Sequence, residues 1–198
     1  MKSKLNVSHQ PIRHIAIFIL GLLIMACVSL SRPLASTEPR KCDKAQRSLK
    51  GFKTTNTSNL FTKESFVNAQ GLKKNLADYL GQGIVFNIWA TWCAPCVREM
   101  PHLDRLKKKL IEDNIEVIAI SVDRAGTPIV EKFFHKNKIS NLEILANPSG
   151  SILRKTKTKG LPTTFLINAK GVEIGRIQGV LDWDSASVVS FLRSCLSP

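Results

Sequence analysis

Acidic residues are scarce. The 198-residue chain holds 15 Asp and Glu against 29 Lys and Arg, a formal net charge of +14. Such an excess bears on solubility and choice of partner, not on fold. Nucleic-acid binding needs a motif as well as charge. The sequence has no zinc-finger spacing, no glycine-rich phosphate loop and no aromatic–basic RNA motif. Internal repeats and low-complexity runs are also missing, which excludes a repeat array. The histidines are His9, His14, His102 and His135, and none forms a spaced ligand set with the cysteines, so no metal is expected. The five cysteines, Cys27, Cys42, Cys93, Cys96 and Cys195, include a single CxxC pair. A four-cysteine zinc site would have to recruit Cys42 and Cys195 from opposite ends, a spacing unlike a zinc ribbon. Five is odd, so at least one cysteine is free, lipidated or paired with another chain.

What is present suits one packed domain with an N-terminal extension. The chain is 43% hydrophobic and 7% aromatic, enough for a core. Residues 15–30 read IAIFILGLLIMACVSL, without a charge, after a stretch containing Lys2, Lys4 and Arg13. This is an export signal or a short membrane anchor. It lies near the lower limit of about 17–25 residues for a span. Pro33 makes a poor cleavage site before Ala35, and Met25 is unusual in a lipoprotein box ending at Cys27. An uncleaved anchor over residues 1–31 is the preferred reading. Residues 32–59, rich in Ser, Thr, Asn, Lys and Pro, read as a linker. Residues 60–198 read as the folded domain.

Within that domain, residues 84–89 (IVFNIW) form a nearly continuous apolar run, hence a buried strand. Val97, Met100, Leu103, Leu106 and Leu110 recur at helical spacing and predict a helix over 95–113. Strands are expected at 115–121, 163–167 and 172–178, the last two joined by a hairpin turn at 168–171. Helices are expected at 127–138, with Pro128 in its first turn, and at 182–196, capped by Asp182. This alternation implies an α/β domain, a central mixed sheet flanked by helices.

The chemistry is concentrated in Trp92-Cys93-Ala94-Pro95-Cys96, where a buried strand gives way to a helix. A cysteine at a helix N-terminus is held toward thiolate by the dipole and the free backbone N–H groups. Cys93 is therefore the candidate attacking thiol. Cys96, one turn on, is the candidate resolving thiol. Asn87 cannot titrate, so it offers no proton route. Glu99, three residues past Cys96, has two readings. It is either a partly buried carboxyl with a raised pKa that exchanges a proton with Cys96, or a solvated carboxylate paired with a base such as Arg98. Cys42 and Cys195 either pair with each other, as outlying cysteines of exported proteins commonly do, or remain free thiols. A bridge over 153 positions would be worth roughly 5 kcal/mol on chain entropy alone. His102 and the run Lys107-Lys108-Lys109 read as solvated helix surface. Arg154, Lys155, Lys157 and Lys159 read either as solvated surface or as guides for an acidic partner.

Two segments carry a resemblance. Asn87-Ile88-Trp89-Ala90-Thr91-Trp92-Cys93-Ala94-Pro95-Cys96, followed by Glu99 and Pro101, is one; Gly160-Leu161-Pro162-Thr163-Thr164-Phe165-Leu166-Ile167 is the other. Together they resemble the thioredoxin-fold thiol–disulfide oxidoreductases, specifically the membrane-anchored bacterial TlpA/ResA branch, over residues 60–196. The resemblance implies a thioredoxin-like fold, a cis Pro162 facing the disulfide, and client binding by Trp92, Leu161 and Pro162. It supports the proton-exchange reading of Glu99. It also implies a Cys42–Cys195 bridge, which places the chain closer to TlpA than to ResA. The implied protein is a periplasm-facing reductase held by one pass in a bacterial inner membrane. It would need no organic cofactor beyond its own Cys93–Cys96 pair. Its implied partners are a transmembrane thiol reductase as electron donor and disulfide-bearing clients: a copper-delivery protein, an oxidase subunit or apocytochrome c. Ala94-Pro95 puts no cation between the cysteines, which implies a reducing potential on the order of −200 to −270 mV. Rival readings are a disulfide-forming oxidant or isomerase, a copper-carrying chaperone, for which a CxxxC would be expected, and a peroxidase with one cysteine in a different loop.

Overall fold

The uncharged run beginning at Gly83 is buried at every position and takes the centre of the sheet. The computed structural model describes residues 51–55 and 64–197, together with Cys42 and Leu49. Its elements are β1 (Phe52–Thr54), β2 (Ser65–Asn68), β3 (Lys73–Asn75), β4 (Gly83–Trp89), α1 (Ala94–Leu110), β5 (Ile115–Ser121), α2 (Thr127–Asn137), β6 (Leu145–Ala146), α3 (Ser151–Lys155), β7 (Thr163–Ile167), β8 (Glu173–Gln178) and α4 (Ala186–Leu196). The strands form one sheet in the order β1-β8-β7-β4-β5-β6-β2-β3. β4, β5 and β6 run parallel, and β7 returns antiparallel on the other side of β4. A strand paired on both edges and covered on both faces has no polar outlet, hence its continuous apolar sequence.

Successive side chains of a strand point to opposite faces, so Asn87 and Trp89 share one. There Asn87 meets α1, and Trp89 packs on Phe133 and Phe134 of α2 with ring centroids 5.1 and 6.1 Å away. Phe86 faces the other way against its cross-strand neighbour Phe165, 6.1 Å between ring centres. The Arg176 guanidinium lies 4.6 Å from the centre of the Phe165 ring and donates to the carbonyl of Thr156, just past α3. Helices thus cover both faces of a mixed sheet.

Three boundaries differ from the sequence reading by more than one residue. The 32–59 linker contains β1, which pairs antiparallel with β8 through Phe52–Ile177, Lys53–Arg176 and Thr54–Gly175. Three residues with one buried side chain are too few to show an alternation. The α1 helix ends at Leu110 and tightens into a 3-10 turn over Ile111–Asp113. The α4 helix begins after Ser185 rather than at Asp182, whose carboxylate pairs with His102 instead. The anchor over residues 1–31, Cys27 and the rest of the linker other than Cys42, Leu49 and 51–55 lie outside the described residues. Among the described residues no helix is long and apolar enough to cross a membrane.

β1 is seated by the absence of a side chain. A Cβ on Gly175 would fall 2.3 Å from Phe52 Cε2 and 2.8 Å from the Lys53 carbonyl oxygen. Phe52 also packs edge-on against Phe191 of α4, centroids 5.2 Å apart. Gly175→Ala is therefore expected to destabilise the domain by about 1–3 kcal/mol through overpacking. Chemical denaturation checks this, and an unchanged midpoint would show that β1 contributes no stability.

Candidate active site

The β4 strand ends at Trp89, and the chain turns through Ala90, Thr91 and Trp92 into α1. Asp123, just past β5, fixes that turn. Its carboxylate accepts from the Thr91 backbone N–H at 2.8 Å, the Thr91 hydroxyl at 2.7 Å and the Ser121 hydroxyl at 2.7 Å. Cys93 then caps α1, with its Sγ accepting from the Cys96 backbone N–H at 3.3 Å. Cys93 and Cys96 are joined as a disulfide, their Cα atoms 5.2 Å apart. Cys93 is 6% exposed and Cys96 is sealed at 0%, so an incoming sulfur meets Cys93 first.

A cleft of about 500 Å³ opens over Cys93. Trp92, Ala94 and Pro95 form one wall; Leu153, Thr158, Lys159, Gly160 and Leu161 form the other. The Trp92 indole is 70% exposed, an unusual position for the largest apolar side chain. The Leu161–Pro162 peptide is cis. Gly179 N–H donates to the Pro162 carbonyl at 2.9 Å, and the Thr163 hydroxyl donates to the Gly160 carbonyl at 2.7 Å, so the loop beside the disulfide is tied to β7 and β8. Leu161 lines the cleft, while Pro162 lies buried behind it.

Glu99 is fully buried, which removes the solvated reading. Asn87 Nδ2 donates to its Oε1 and the Trp183 indole N–H to its Oε2, each at 2.9 Å. Asn87 Nδ2 also donates to Thr164 Oγ1 at 2.9 Å. Among the described residues Asn87 Oδ1 has no partner, so the amide is committed to donating. Burial pushes the Glu99 carboxyl up to about 7, while the Trp183 and Asn87 donors favour the anion and hold it from rising further. A carboxyl three residues from Cys96 is thereby set to exchange a proton near neutrality.

The loop carrying Trp183 is clamped to the helix carrying the cysteines. Asp184 accepts from Arg105 Nε at 2.7 Å and meets His102 Nδ1 at 2.6 Å; Asp182 meets the same nitrogen at 3.0 Å. Arg105 and His102 hold the Asp184 carboxyl far below the usual range. His102 is thus a half-buried partner of two acids, not solvated surface. The lysine run is also less free than expected: Lys107 pairs with Glu116, and Lys109 donates to the Asp184 carbonyl. Far from the cleft, Cys42 and Cys195 are joined as a second disulfide, Cα atoms 5.1 Å apart.

Sequence reasoning assigned no role to Trp183 or Asp123. Both stand in loops, where no periodicity marks a residue as inward-facing. The one available signal was compositional, since Asp182-Trp183-Asp184 sets a large apolar ring between two acids.

A model of the AhpC/TSA family matches residues 52–173. The thiol–disulfide oxidoreductase ResA of Bacillus thuringiensis is 36% identical over 110 residues, 56% of this chain and 62% of that protein. The chain therefore spans less than two thirds of the curated relatives it matches. Among solved structures, the exposed lipoprotein thioredoxin Etrx1 of Streptococcus pneumoniae superposes with a TM-score of 0.55 at 21% identity, covering 66% of this chain and 97% of that one. A secreted thiol-disulfide isomerase of Corynebacterium glutamicum gives 0.58 at 19% identity, covering 73% and 92%. At such identities the likeness establishes the thioredoxin-like α/β fold alone.

Glu99 yields a stability signature. Its carboxyl titrates at about 7 when folded against 4.5 when free. Between those values the folded chain keeps a proton that the unfolded chain has released, so stability falls as pH rises through that window, by about 3 kcal/mol in all. Glu99→Gln is expected to remove this slope, seen as the wild-type-minus-variant difference in unfolding free energy. Trp183→Phe deletes one donor to the anion and should move the Glu99 titration above about 7, measured by carboxyl-resolved NMR or infrared difference spectroscopy. An unmoved titration would mean that the indole contributes nothing to the carboxylate.

Proposed function

Because the chain belongs to the AhpC/TSA family, we propose from the chemistry of its site that it is a thiol–disulfide oxidoreductase which reduces disulfides in client proteins. The observation that carries this reading is the Cys93–Cys96 disulfide at the N-terminus of α1, beside a cleft and next to a buried, near-neutral carboxyl. In the reduced protein the Cys93 thiolate attacks one sulfur of a client disulfide. The client S–S bond breaks, its second sulfur leaves as thiolate and takes a proton from water, and Cys93 is joined to the client. Cys96 then attacks Cys93 Sγ while its proton passes to ionised Glu99. The mixed disulfide breaks, the second client thiolate leaves and is protonated, and Cys93–Cys96 closes. Two electrons have moved to the client.

Direction is supported by Ala94-Pro95, which places no cation between the cysteines to favour the reduced form. Both sulfurs lie within one CxxC, which favours dithiol exchange over single-cysteine peroxide chemistry. Among the described residues His102 is tied to Asp182 and Asp184 rather than turned to the cysteines, which disfavours copper carriage. The redox pair itself is the only cofactor this chemistry needs. Within this proposal the domain works in the periplasm, tethered by residues 1–31 to a bacterial inner membrane. A transmembrane thiol reductase recharges the pair, and the clients belong to cytochrome oxidase or cytochrome c assembly. The Cys42–Cys195 bridge supports placement near TlpA.

Cys96→Ser should trap client mixed disulfides on Cys93, recoverable by non-reducing electrophoresis and mass spectrometry. Alkylation of the reduced wild type at neutral pH should label Cys93 before Cys96. Glu99→Gln should slow release from the mixed disulfide by about 10- to 100-fold. Preferential alkylation of Cys96 would overturn the assignment of Cys93 as the attacking thiol, and a redox titration far above about −200 mV would turn the reading toward an oxidant.

A further inference from the structure

The charge of this chain is unevenly placed. Over residues 64–197, 18 Lys and Arg stand against 13 Asp and Glu. The stretch 144–172 holds five of those bases, Arg154, Lys155, Lys157, Lys159 and Lys170, and no acid; the remainder balances at thirteen against thirteen. Four of the five fall in residues 154–159, and this segment builds the cleft wall across from Cys93, with Leu153, Thr158 and Lys159 lining it.

The segment is built to hold its cations outward. Ile152 and Thr156 are buried, and the Thr156 hydroxyl donates to the Ile152 carbonyl at 2.7 Å. Arg176 Nη1 donates to the Thr156 carbonyl at 3.2 Å, which fixes the turn against β8. Lys157 adopts the left-handed region at φ +53°, reversing the chain just past the buried threonine. Arg154, Lys155, Lys157 and Lys159 are all exposed, and none of them pairs with a carboxylate among the described residues. Elsewhere several cations are matched by acids, Lys74 with Glu143, Arg105 with Asp184, Arg176 with Glu173 and Arg193 with Asp113, and the exposed unpaired ones stand in stretches that also carry acids, whereas 144–172 carries none. An apolar cleft flanked by Trp92 and Leu161 thus has an exposed cationic segment along the wall across from Cys93, with Lys159 in the lining itself.

Resting on the reductase reading, we propose that the cleft selects clients by charge: it takes an extended segment with apolar residues next to the disulfide cysteine and Asp or Glu lying over the 154–159 turn. Apolar contact with Trp92 and Leu161 would seat any unfolded segment. The cationic wall then discriminates, since opposite charge speeds encounter and like charge opposes it. Exposed charges act through solvent, so the selectivity belongs mainly to the association rate and decays with salt. The redox step is the exchange already described, with electrons passing from the dithiol to the client disulfide.

The test uses the full chain, reduced, with three substrates: neutral 2-hydroxyethyl disulfide and two disulfide peptides of equal length flanked by acidic or by basic residues. At low ionic strength the acidic peptide should exceed the basic one in kcat/KM by about 10-fold or more. The ratio should fall toward one at 1 M salt, where screening acts within about 3 Å. Arg154→Glu with Lys155→Glu and Lys157→Glu should invert the ratio, and the three Gln substitutions should bring it near one. Equal rates for the two peptides at low salt, or a preference that survives charge reversal, while the wild type turns over the neutral disulfide, would overturn the inference. Failure of the wild type on the neutral disulfide as well would bring down the reductase reading, and this inference with it.

Discussion

Everything reactive in this molecule hangs on one strand that can face no water. β4 is buried at all seven positions, with partners on both edges and helices over its faces. Its C-terminal end delivers the chain to Cys93, and its one polar side chain, Asn87, reaches Glu99. A strand so enclosed cannot slip register without moving apolar side chains into solvent. The distance from Asn87 to the cysteines is therefore set by packing, and Asn87 in turn sets the environment of the carboxyl.

Glu99 shows how two opposed forces reach a usable balance. Burial alone would leave the carboxyl neutral at working pH and unable to accept a proton. Two donors alone would leave it a permanent anion and a poor donor. Together they bring it to about 7, where both forms are populated. The loop of the second donor, Trp183, is held through Asp184, which meets His102 and Arg105 on the helix that begins at the cysteines. Carboxyl, indole and thiols thus share one rigid support.

Much of this was legible in the sequence. The strands at 115–121 and 163–167 fall where apolar runs put them, because a buried strand leaves an unbroken hydrophobic signature. Cys93 and Cys96 announce themselves by spacing and by standing between a strand and a helix. β1 was hidden because an edge strand of three residues has no pattern, and its seat depends on Gly175 far along the chain. Asp123 and Trp183 were hidden for a related reason. They act across loops, and a side chain that crosses from one loop to another element leaves no periodic trace. The burial of Glu99 lay between these cases: the helix was predictable, but not which residues would roof its face.

The three tryptophans divide the molecule into three optical compartments. Trp89 is sealed among the aromatic rings of α2 and should emit as a core fluorophore whose signal is lost when that packing is lost. Trp92 stands in solvent beside Cys93, close enough to a disulfide to be quenched when the pair is closed and to brighten when it opens. Trp183 donates to a carboxyl whose charge changes near neutral pH, so its emission should follow that proton rather than the sulfurs. The protein thereby carries separate built-in reporters for packing, for electrons and for the proton, each readable without a label.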